Sequence, residues 1–160
     1  MIYKNIDSTP YTYIFVCTGN TCRSPIAEAL ARDWIARNLP EHAPRFTIMS
    51  AGIATGGGYS ASAGSSKACA DAGLSLANHK TRRFTAELAR GATVIAMTEG
   101  HLAAVRRIAP QERSMTLSQW ADGTARDIPD PCMGTYEEYQ GCFNQIKEYI
   151  DKGFGRTLRR

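Results

Sequence analysis

Two residues six positions apart, Cys17 and Arg23, are the strongest candidates for chemistry in this sequence. They enclose a polar stretch that Ser24 and Pro25 follow, and we call residues 17–24 the Cys17 loop. A thiol beside a guanidinium and below converging backbone N–H groups is favoured as the nucleophilic thiolate. A guanidinium offers a planar fork that matches two phosphate oxygens. The pair therefore predicts a thiolate that attacks a bound phosphoryl group and forms a phosphocysteine.

The residues flanking this loop predict elements that hold an anion. Residues 13–16 have the apolar, β-branched and aromatic composition of a buried strand. Gly19 and Asn20 are the residue types that best tolerate positive φ. Ser24 suits a helix N-cap, and Pro25 suits the first helical position. A strand, a tight loop and a helix N-terminus in this order direct N–H groups at an anion. The alternative is that Cys17 is a buried core thiol, but its combination with Arg23 favours a site.

Alternating strand and helix patterns predict a three-layer α/β fold with a four-stranded parallel sheet and helices on both faces. Strands are expected at 13–16, 46–50, 93–97 and 114–117. Helices are expected at 25–38, before Gly73, at 99–109 and from about 135 to the C-terminus. Residues 1–12 are interpreted as an N-terminal extension, and residues 13–160 as a single domain. Ligands in such folds bind at the carboxyl ends of strands, where Cys17 lies.

Composition excludes several other classes of protein. The chain has 160 residues and a net charge of +4, which is too weak and too scattered to indicate nucleic-acid binding. No apolar run approaches the roughly 18–20 residues of a membrane span. The odd number of cysteines, five, indicates reduced thiols in a cytoplasmic protein. Cys17 and Cys22 alone do not complete a zinc site, so we predict neither a metal nor a cofactor.

Residues 16–25, Val-Cys-Thr-Gly-Asn-Thr-Cys-Arg-Ser-Pro, resemble the signature loop of the low-molecular-weight protein tyrosine phosphatases. That family also contains bacterial protein-arginine phosphatases and thioredoxin-linked arsenate reductases. The resemblance covers nearly the whole chain from Tyr13 and implies phosphorylated proteins as substrates, with Cys17 as nucleophile and Arg23 binding the phosphate. The loop residues expected to bind phosphate or a similar oxyanion are Thr18, Gly19, Asn20, Thr21, Cys22 and Ser24.

The resemblance also implies a hydrogen-bonded network of Asn20, Ser24, Ser50 and His79 that holds the loop open. Ser50 and His79 would then fix the geometry of the loop without moving protons. A single histidine is more often structural than catalytic, which agrees with this supporting role. Residues 52–66 are rich in Gly, Ser and Ala, and the triplet Ser50-Ala51-Gly52 leads into them. The resemblance implies that this stretch is a substrate-facing loop, whereas composition alone suggests a linker.

The leaving group needs a proton, and two aspartates compete for that role in Asp127-Ile-Pro-Asp130-Pro. We call residues 127–134 the Asp130 loop. Flanking prolines stiffen this loop and fix the direction of a carboxylate. Sequence alone leaves both aspartates open. The resemblance selects Asp130, which would protonate the leaving group and then activate the hydrolytic water, and it leaves Asp127 as a turn residue.

Three positions depart from the commonest tyrosine-phosphatase pattern. Thr21 replaces a bulky aliphatic residue, and Thr98 stands where many members have aspartate; both resemble the arginine-phosphatase branch. Cys132 replaces the aromatic residue that usually follows Asp-Pro, and it departs from both branches. Candidates for part of the missing aromatic wall are Ile53, Tyr59 and Tyr136.

The substrate stays open between two phosphorylated side chains. Phosphotyrosine is placed first because it is the main activity of the family, and Thr21 makes phosphoarginine nearly equal. Arsenate reductase is disfavoured because Cys69, Cys132 and Cys142 do not form a close pair on one helix. A non-enzymatic phosphate-binding module is disfavoured because Cys17, Arg23 and Asp130 occur together. Cys17 and Cys22 share one loop, so we also expect peroxide to inactivate the protein reversibly through a disulfide between them.

Overall fold

The fold is a single parallel sheet covered by helices, seen in a computed structural model that describes residue 6 and residues 8–158. The strands are β1 (Tyr11–Cys17), β2 (Phe46–Gly52), β3 (Thr93–Ala96) and β4 (Arg113–Thr116). The helices are α1 (Arg23–Asn38), α2 (Ala63–Asp71), α3 (Ala86–Ala89), α4 (Glu99–Ile108), α5 (Leu117–Asp122) and α6 (Tyr136–Leu158). All strand pairs are parallel, in the order β2-β1-β3-β4. The predicted four-stranded α/β fold is confirmed.

Side chains of β1 alternate between two hydrophobic cores, as the pleat of a strand requires. Tyr13, Phe15 and Cys17 point into the larger core, which β1 shares with α1, α5 and α6. Ile14 and Val16 point into the smaller core on the other face, beneath α3 and α4. Cys17 therefore lies at the end of β1, one of the two inner strands, on the α1 side of the sheet. Within the described part of the chain, no helix has both the length and the apolar character needed to cross a membrane.

Several element boundaries differ from the sequence prediction. The sheet begins at Tyr11, so the last two residues of the predicted extension belong to β1. Residues 1–5 and 7 of that extension lie outside the described residues. The prediction missed α3 and α5, which have four and six residues. Helices this short carry too few turns to show an amphipathic repeat, and side-chain caps at Thr85 and Thr116 begin them instead.

Candidate active site

A cavity of about 200 Å³ lies at the carboxyl end of β1. It brings together three side chains predicted to act in catalysis, Cys17, Arg23 and Asp130. Of the predicted phosphate-binding residues, Asn20 and Ser24 do not line the cavity but are buried behind it. The lining residues are Cys17, Thr18, Gly19, Thr21, Cys22, Arg23, Asp130 and Cys132.

The backbone of the Cys17 loop turns its carbonyl oxygens away from the cavity. The carbonyls of Cys17 and Thr18 accept from the amides of Ile53 and Ala54, at 3.0 and 2.9 Å. The Thr21 carbonyl accepts from the Ser62 amide at 2.9 Å. The Asn20 and Cys22 carbonyls bond to side chains outside the loop. In a trans peptide the N–H points opposite to the C=O, so the amides of residues 18, 19, 21, 22 and 23 face the cavity as an anion-binding nest.

Asn20 is the centre of the network that shapes this loop. Its φ of 58° is the left-handed conformation that asparagine tolerates best after glycine. Its Nδ2 donates to Ser24 Oγ at 2.8 Å and to Ser50 Oγ at 2.9 Å, and its Oδ1 accepts from the Arg82 amide at 3.0 Å. His79 Nε2 lies 2.7 Å from the Asn20 carbonyl oxygen. The four residues of the predicted network are thus in contact, and the amide of Arg82 is an additional member.

The triplet Ser50-Ala51-Gly52 completes strand β2, so the loop predicted at residues 52–66 spans residues 53–62, and none of these residues lines the cavity. Gly52 packs directly against the Cys17 loop. A Cβ at this position would lie 2.7 Å from the Thr18 carbonyl oxygen and 3.0 Å from the Asn20 nitrogen. No side chain fits there without moving the loop, so glycine is required for close approach.

The predicted N-cap at Ser24 is wrong. Helix α1 begins at Arg23, with Cys22 at the N-cap position and, within the described residues, no side-chain cap. Ser24 instead lies in the first turn, where its hydroxyl is 2.9 Å from Cys17 Sγ and accepts from Asn20. The hydroxyl is therefore committed to the thiol and the loop, and the first N–H groups of α1 stay directed at the cavity.

Arg23 is a nearly buried cation, and the described residues do not use all of its N–H donors. Its side chain is 6% exposed. Nη1 donates to the Ile128 carbonyl at 3.0 Å, which ties α1 to the Asp130 loop. Nη2 lies 3.6 Å from Asp130 Oδ2, and buried Nε has no partner among the described residues. A buried donor without a partner is costly, and an oxyanion in the nest would satisfy it.

Asp127 and Asp130 lie in different surroundings. Asp127 Oδ1 accepts from the Glu99 amide at 2.9 Å, so it supports the N-terminus of α4. The Asp130 side chain is half exposed at the mouth of the cavity, where Oδ1 accepts from the Cys132 amide at 3.0 Å. Of the two competing carboxylates, Asp130 is the one that a leaving group above Cys17 could reach.

His101, in the first turn of α4, was missed by the sequence analysis. Its Nε2 lies 2.8 Å from the hydroxyl of Thr18, and its buried Nδ1 has no partner among the described residues. Burial, with a smaller contribution from the Arg23 guanidinium, lowers the pKa of His101 from 6.5 to about 4. A neutral imidazole therefore supports the Cys17 loop from the α4 side at neutral pH. The sequence did contain a signal for His101. Thr98 caps the helix that follows β3, which places His101 in the first turn of that helix.

Cys22 and Cys132 come together at the mouth of the cavity from distant parts of the chain. Cys22 is buried and Cys132 is exposed. Proximity to Cys22 raises the pKa of the Cys132 thiol, with desolvation contributing less. Burial raises the pKa of the two remaining thiols, Cys69 to about 11 and Cys142 to about 12. Those two are therefore thiols at neutral pH.

The expected aromatic wall is not found at the cavity. Its described lining contains no aromatic side chain, and Ile53, Tyr59 and Tyr136 are outside it. Tyr59 is 66% exposed. The Tyr136 hydroxyl bonds to Asp71, and the Lys67 ammonium lies 3.9 Å from the Tyr136 ring centroid. Thr21 does line the cavity, whereas Thr98 is used to cap α4.

Comparison with known proteins agrees with this site. The family model for low molecular weight phosphotyrosine protein phosphatase matches residues 12–160. A protein-arginine-phosphatase of Geobacillus stearothermophilus is 34% identical over 146 residues, covering 89% of this chain and 93% of that protein. The low molecular weight protein-tyrosine-phosphatase Etp of Escherichia coli is 35% identical over 150 residues and covers 92% of each chain. The two substrate classes are thus represented at nearly equal identity.

Solved structures with the same fold also include both arginine and tyrosine phosphatases. The YwlE arginine phosphatase, as a mutant with a phosphorylated active-site serine, has a TM-score of 0.81 at 30% identity, covering 88% of this chain and 91% of that one. The tyrosine phosphatase Wzb of Escherichia coli, in complex with sulphate, has a TM-score of 0.76 at 29% identity, covering 88% and 93%.

Proposed function

The chain belongs to the low-molecular-weight phosphotyrosine protein phosphatase family, and from that membership we propose that it dephosphorylates protein side chains through a phosphocysteine at Cys17, without a metal ion. Residues 13–160 would carry this activity as one domain. The observation that supports the proposal best is the meeting of Cys17, Arg23 and Asp130 in one cavity. The N–H nest and the partnerless Nε of Arg23 together suit a bound phosphoryl group.

In the first step, the Cys17 thiolate attacks phosphorus in line with the leaving group. An S–P bond forms while the bond from phosphorus to the oxygen or nitrogen of the substrate side chain breaks. Asp130 in its acid form gives its proton to that leaving atom. The amides of the nest and the Arg23 guanidinium bind the equatorial oxygens, where negative charge is concentrated.

In the second step, water attacks the phosphocysteine and the thiolate leaves. The Asp130 carboxylate formed in the first step accepts a proton from the water, which restores the acid. The Ser24 hydroxyl, 2.9 Å from Cys17 Sγ, is placed to donate a hydrogen bond to the departing thiolate. The products are inorganic phosphate and the starting enzyme.

Between the two substrates, the lining of the cavity favours phosphoarginine. The described lining residues have no aromatic side chain to stack on a phenol ring, and Thr21 places a hydroxyl there. A hydroxyl can accept from a guanidinium N–H, which an aliphatic residue cannot do. The half-exposed carboxyl group of Asp130 adds a second polar group beside the leaving group.

Phosphotyrosine is the second candidate because relatives with that activity are equally similar to the chain. Etp is 35% identical, against 34% for the Geobacillus arginine phosphatase. A phenol ring could extend past the cavity mouth without a stacking partner. An arsenate reductase receives less support, because burial holds the pKa of Cys69 at about 11 and that of Cys142 at about 12, which disfavours the thiolates of a redox relay.

The deciding experiment compares kcat/KM on matched peptides that carry phosphoarginine or phosphotyrosine in the same sequence. Hydrolysis of both by the wild type, with none by Cys17→Ser, supports the enzyme class. A higher kcat/KM on phosphoarginine supports the first substrate, and a higher value on phosphotyrosine supports the second. Hydrolysis of neither peptide, with no hydrolysis of p-nitrophenyl phosphate, would contradict the proposed function.

A further inference from the structure

The mouth of the cavity holds a second group of reactive side chains, formed by Cys22, Asp130 and Cys132. One ligand atom from each, two Sγ atoms and a carboxylate oxygen, lies within 4.8 Å of the other two. Cys22 and Cys132 are far apart in the sequence, so spacing rules for zinc sites could not find them. The group is complete only in the folded chain.

This arrangement is close to what a tetrahedral cation requires. With zinc–sulfur bonds of about 2.3 Å, two thiolates on one tetrahedral ion lie roughly 3.8 Å apart. The observed upper limit of 4.8 Å exceeds that spacing by about 1 Å. Cys132 and Asp130 lie in an exposed loop, and a small shift of that loop towards buried Cys22 closes the gap.

The surroundings of each ligand suit metal binding. Three hydroxyls surround Cys22 Sγ. Cys22 Sγ donates to Ser62 Oγ at 3.3 Å, and the hydroxyls of Thr21 at 3.7 Å and Tyr139 at 3.8 Å can donate to the sulfur. The Cys132 amide donates to Asp130 Oδ1 at 3.0 Å, which holds two ligands on one turn.

We propose that Cys22, Cys132 and Asp130 bind a thiophilic divalent cation such as Zn²⁺, and that the bound ion inhibits the site. Two thiolates select such an ion over Mg²⁺ or Ca²⁺. Each thiol loses its proton to the solvent on binding, so two protons are released per ion. The ion engages Asp130, the proposed acid, and closes the entrance above Cys17. Only the inhibition rests on the proposed phosphatase function; binding of the ion does not.

Cobalt(II) is the probe for binding, because thiolate ligands give it charge-transfer absorption in the near ultraviolet. The reduced full chain is titrated with Co²⁺, and then Zn²⁺ is added to displace it. We expect one ion per chain in the wild type and in Cys17→Ser, which keeps all three ligands but has no nucleophile. Cys132→Ser should weaken binding by at least about tenfold, since even changes around a metal ligand cost about 10–100-fold. Cys132 is exposed, so folding should be unaffected by this change.

Cys142→Ala is the matched control, because it removes a nearby buried thiol that is not in the group. It should bind Co²⁺ like the wild type. Unchanged binding by Cys132→Ser would overturn the proposal, and so would loss of binding in Cys17→Ser, which would assign the ion to the nucleophile.

Inhibition is measured separately as the Zn²⁺ dependence of p-nitrophenyl phosphate hydrolysis, each protein relative to its own metal-free rate. Cys132→Ser should need at least about tenfold more Zn²⁺ for half inhibition. Binding of Co²⁺ without any inhibition by Zn²⁺ would overturn the regulatory part of the proposal. Binding in a chain that hydrolyses no phosphate substrate would contradict the proposed function and leave the metal site standing.

Discussion

The two loops that form the cavity differ sharply in how they are held. In the Cys17 loop, five of eight residues are buried, and hydrogen bonds reach it from β2, α2, α4 and the segment around His79. In the Asp130 loop, six of eight residues are exposed, and it meets the Cys17 loop at Arg23 and at Cys22. In the proposed mechanism, the buried Cys17 loop binds the phosphoryl group, which is the same in every substrate. The exposed Asp130 loop would face the leaving group, which varies, so the substrate is harder to infer than the reaction.

The largest expected effect is the loss of turnover when Cys17, the proposed nucleophile, is replaced. Cys17→Ser should lower turnover by about 10⁴-fold or more, because a serine hydroxyl is not ionised in this setting. Affinity for inorganic phosphate, measured by calorimetry, should change little, since the N–H nest and Arg23 remain. Substantial turnover in a cleanly purified variant would contradict the assignment of Cys17.

The next largest effect, on the rate of hydrolysis, distinguishes the two aspartates of the Asp130 loop. Asp130→Ala should slow hydrolysis by about 10²–10⁴-fold for a poor leaving group and much less for p-nitrophenol, which needs no proton. Asp127→Ala is the matched control, and it should instead destabilise the fold by about 0.5–2 kcal/mol through the lost bond to the Glu99 amide. A leaving-group dependence in the Asp127 variant alone would reverse the assignment.

Because the buried His101 supports the Cys17 loop, we expect the stability of the fold to depend on pH. The pKa of His101 is about 4 in the folded chain against an ordinary value of 6.5, so the unfolded chain binds more protons between these pH values. The free energy of unfolding should therefore fall as pH drops from 6.5 to 4. At about 1.4 kcal/mol per pKa unit, the loss is at most roughly 3 kcal/mol. The charged groups facing His101 are Arg23, Asp127 and Asp130.

Chemical denaturation at several pH values measures this slope. His101→Gln should flatten it, because glutamine does not titrate. Equal slopes in the wild type and His101→Gln would show that other groups cause the acid sensitivity.

The smallest predicted effect concerns selection of the substrate. Thr21→Ile should lower kcat/KM on phosphoarginine more than on phosphotyrosine and shift their ratio by at least about tenfold, or 1.4 kcal/mol. The reason is the loss of a hydroxyl that lines the cavity. Thr21→Ser keeps the hydroxyl and should keep the ratio, and the rate on a small aryl phosphate controls for damage to the loop. A parallel fall on both peptides would mean that Thr21 is not the selector.

Features encoded by neighbouring residues could be predicted from the sequence. The order of strand, loop and helix around Cys17 is local, and so is the left-handed conformation of Asn20. The parallel sheet followed from the alternation of strands and helices. The prediction of Ser24 as the N-cap also came from neighbouring residues, and it is wrong. The Ser24 hydroxyl contacts Cys17 Sγ and accepts from Asn20 instead of capping α1.

Features that depend on distant contacts could not be predicted. His101 and Thr18 are 83 positions apart, and Cys132 meets Cys22 only when the exposed loop folds over α1. The lining of the cavity depends on such contacts, which is why the sequence could not show that Ile53, Tyr59 and Tyr136 lie outside it.

The central claim, a covalent intermediate on Cys17 that depends on Asp130 for its hydrolysis, has one direct test. Asp130→Ala is mixed rapidly with p-nitrophenyl phosphate, and both the released phenol and the acid-quenched protein are analysed. We expect a burst of one p-nitrophenol per chain, followed by slow turnover, with one phosphoryl group located by mass spectrometry on the peptide that contains Cys17. Linear release without a burst and without labelled protein, or a phosphoryl group on any other residue, would contradict the account.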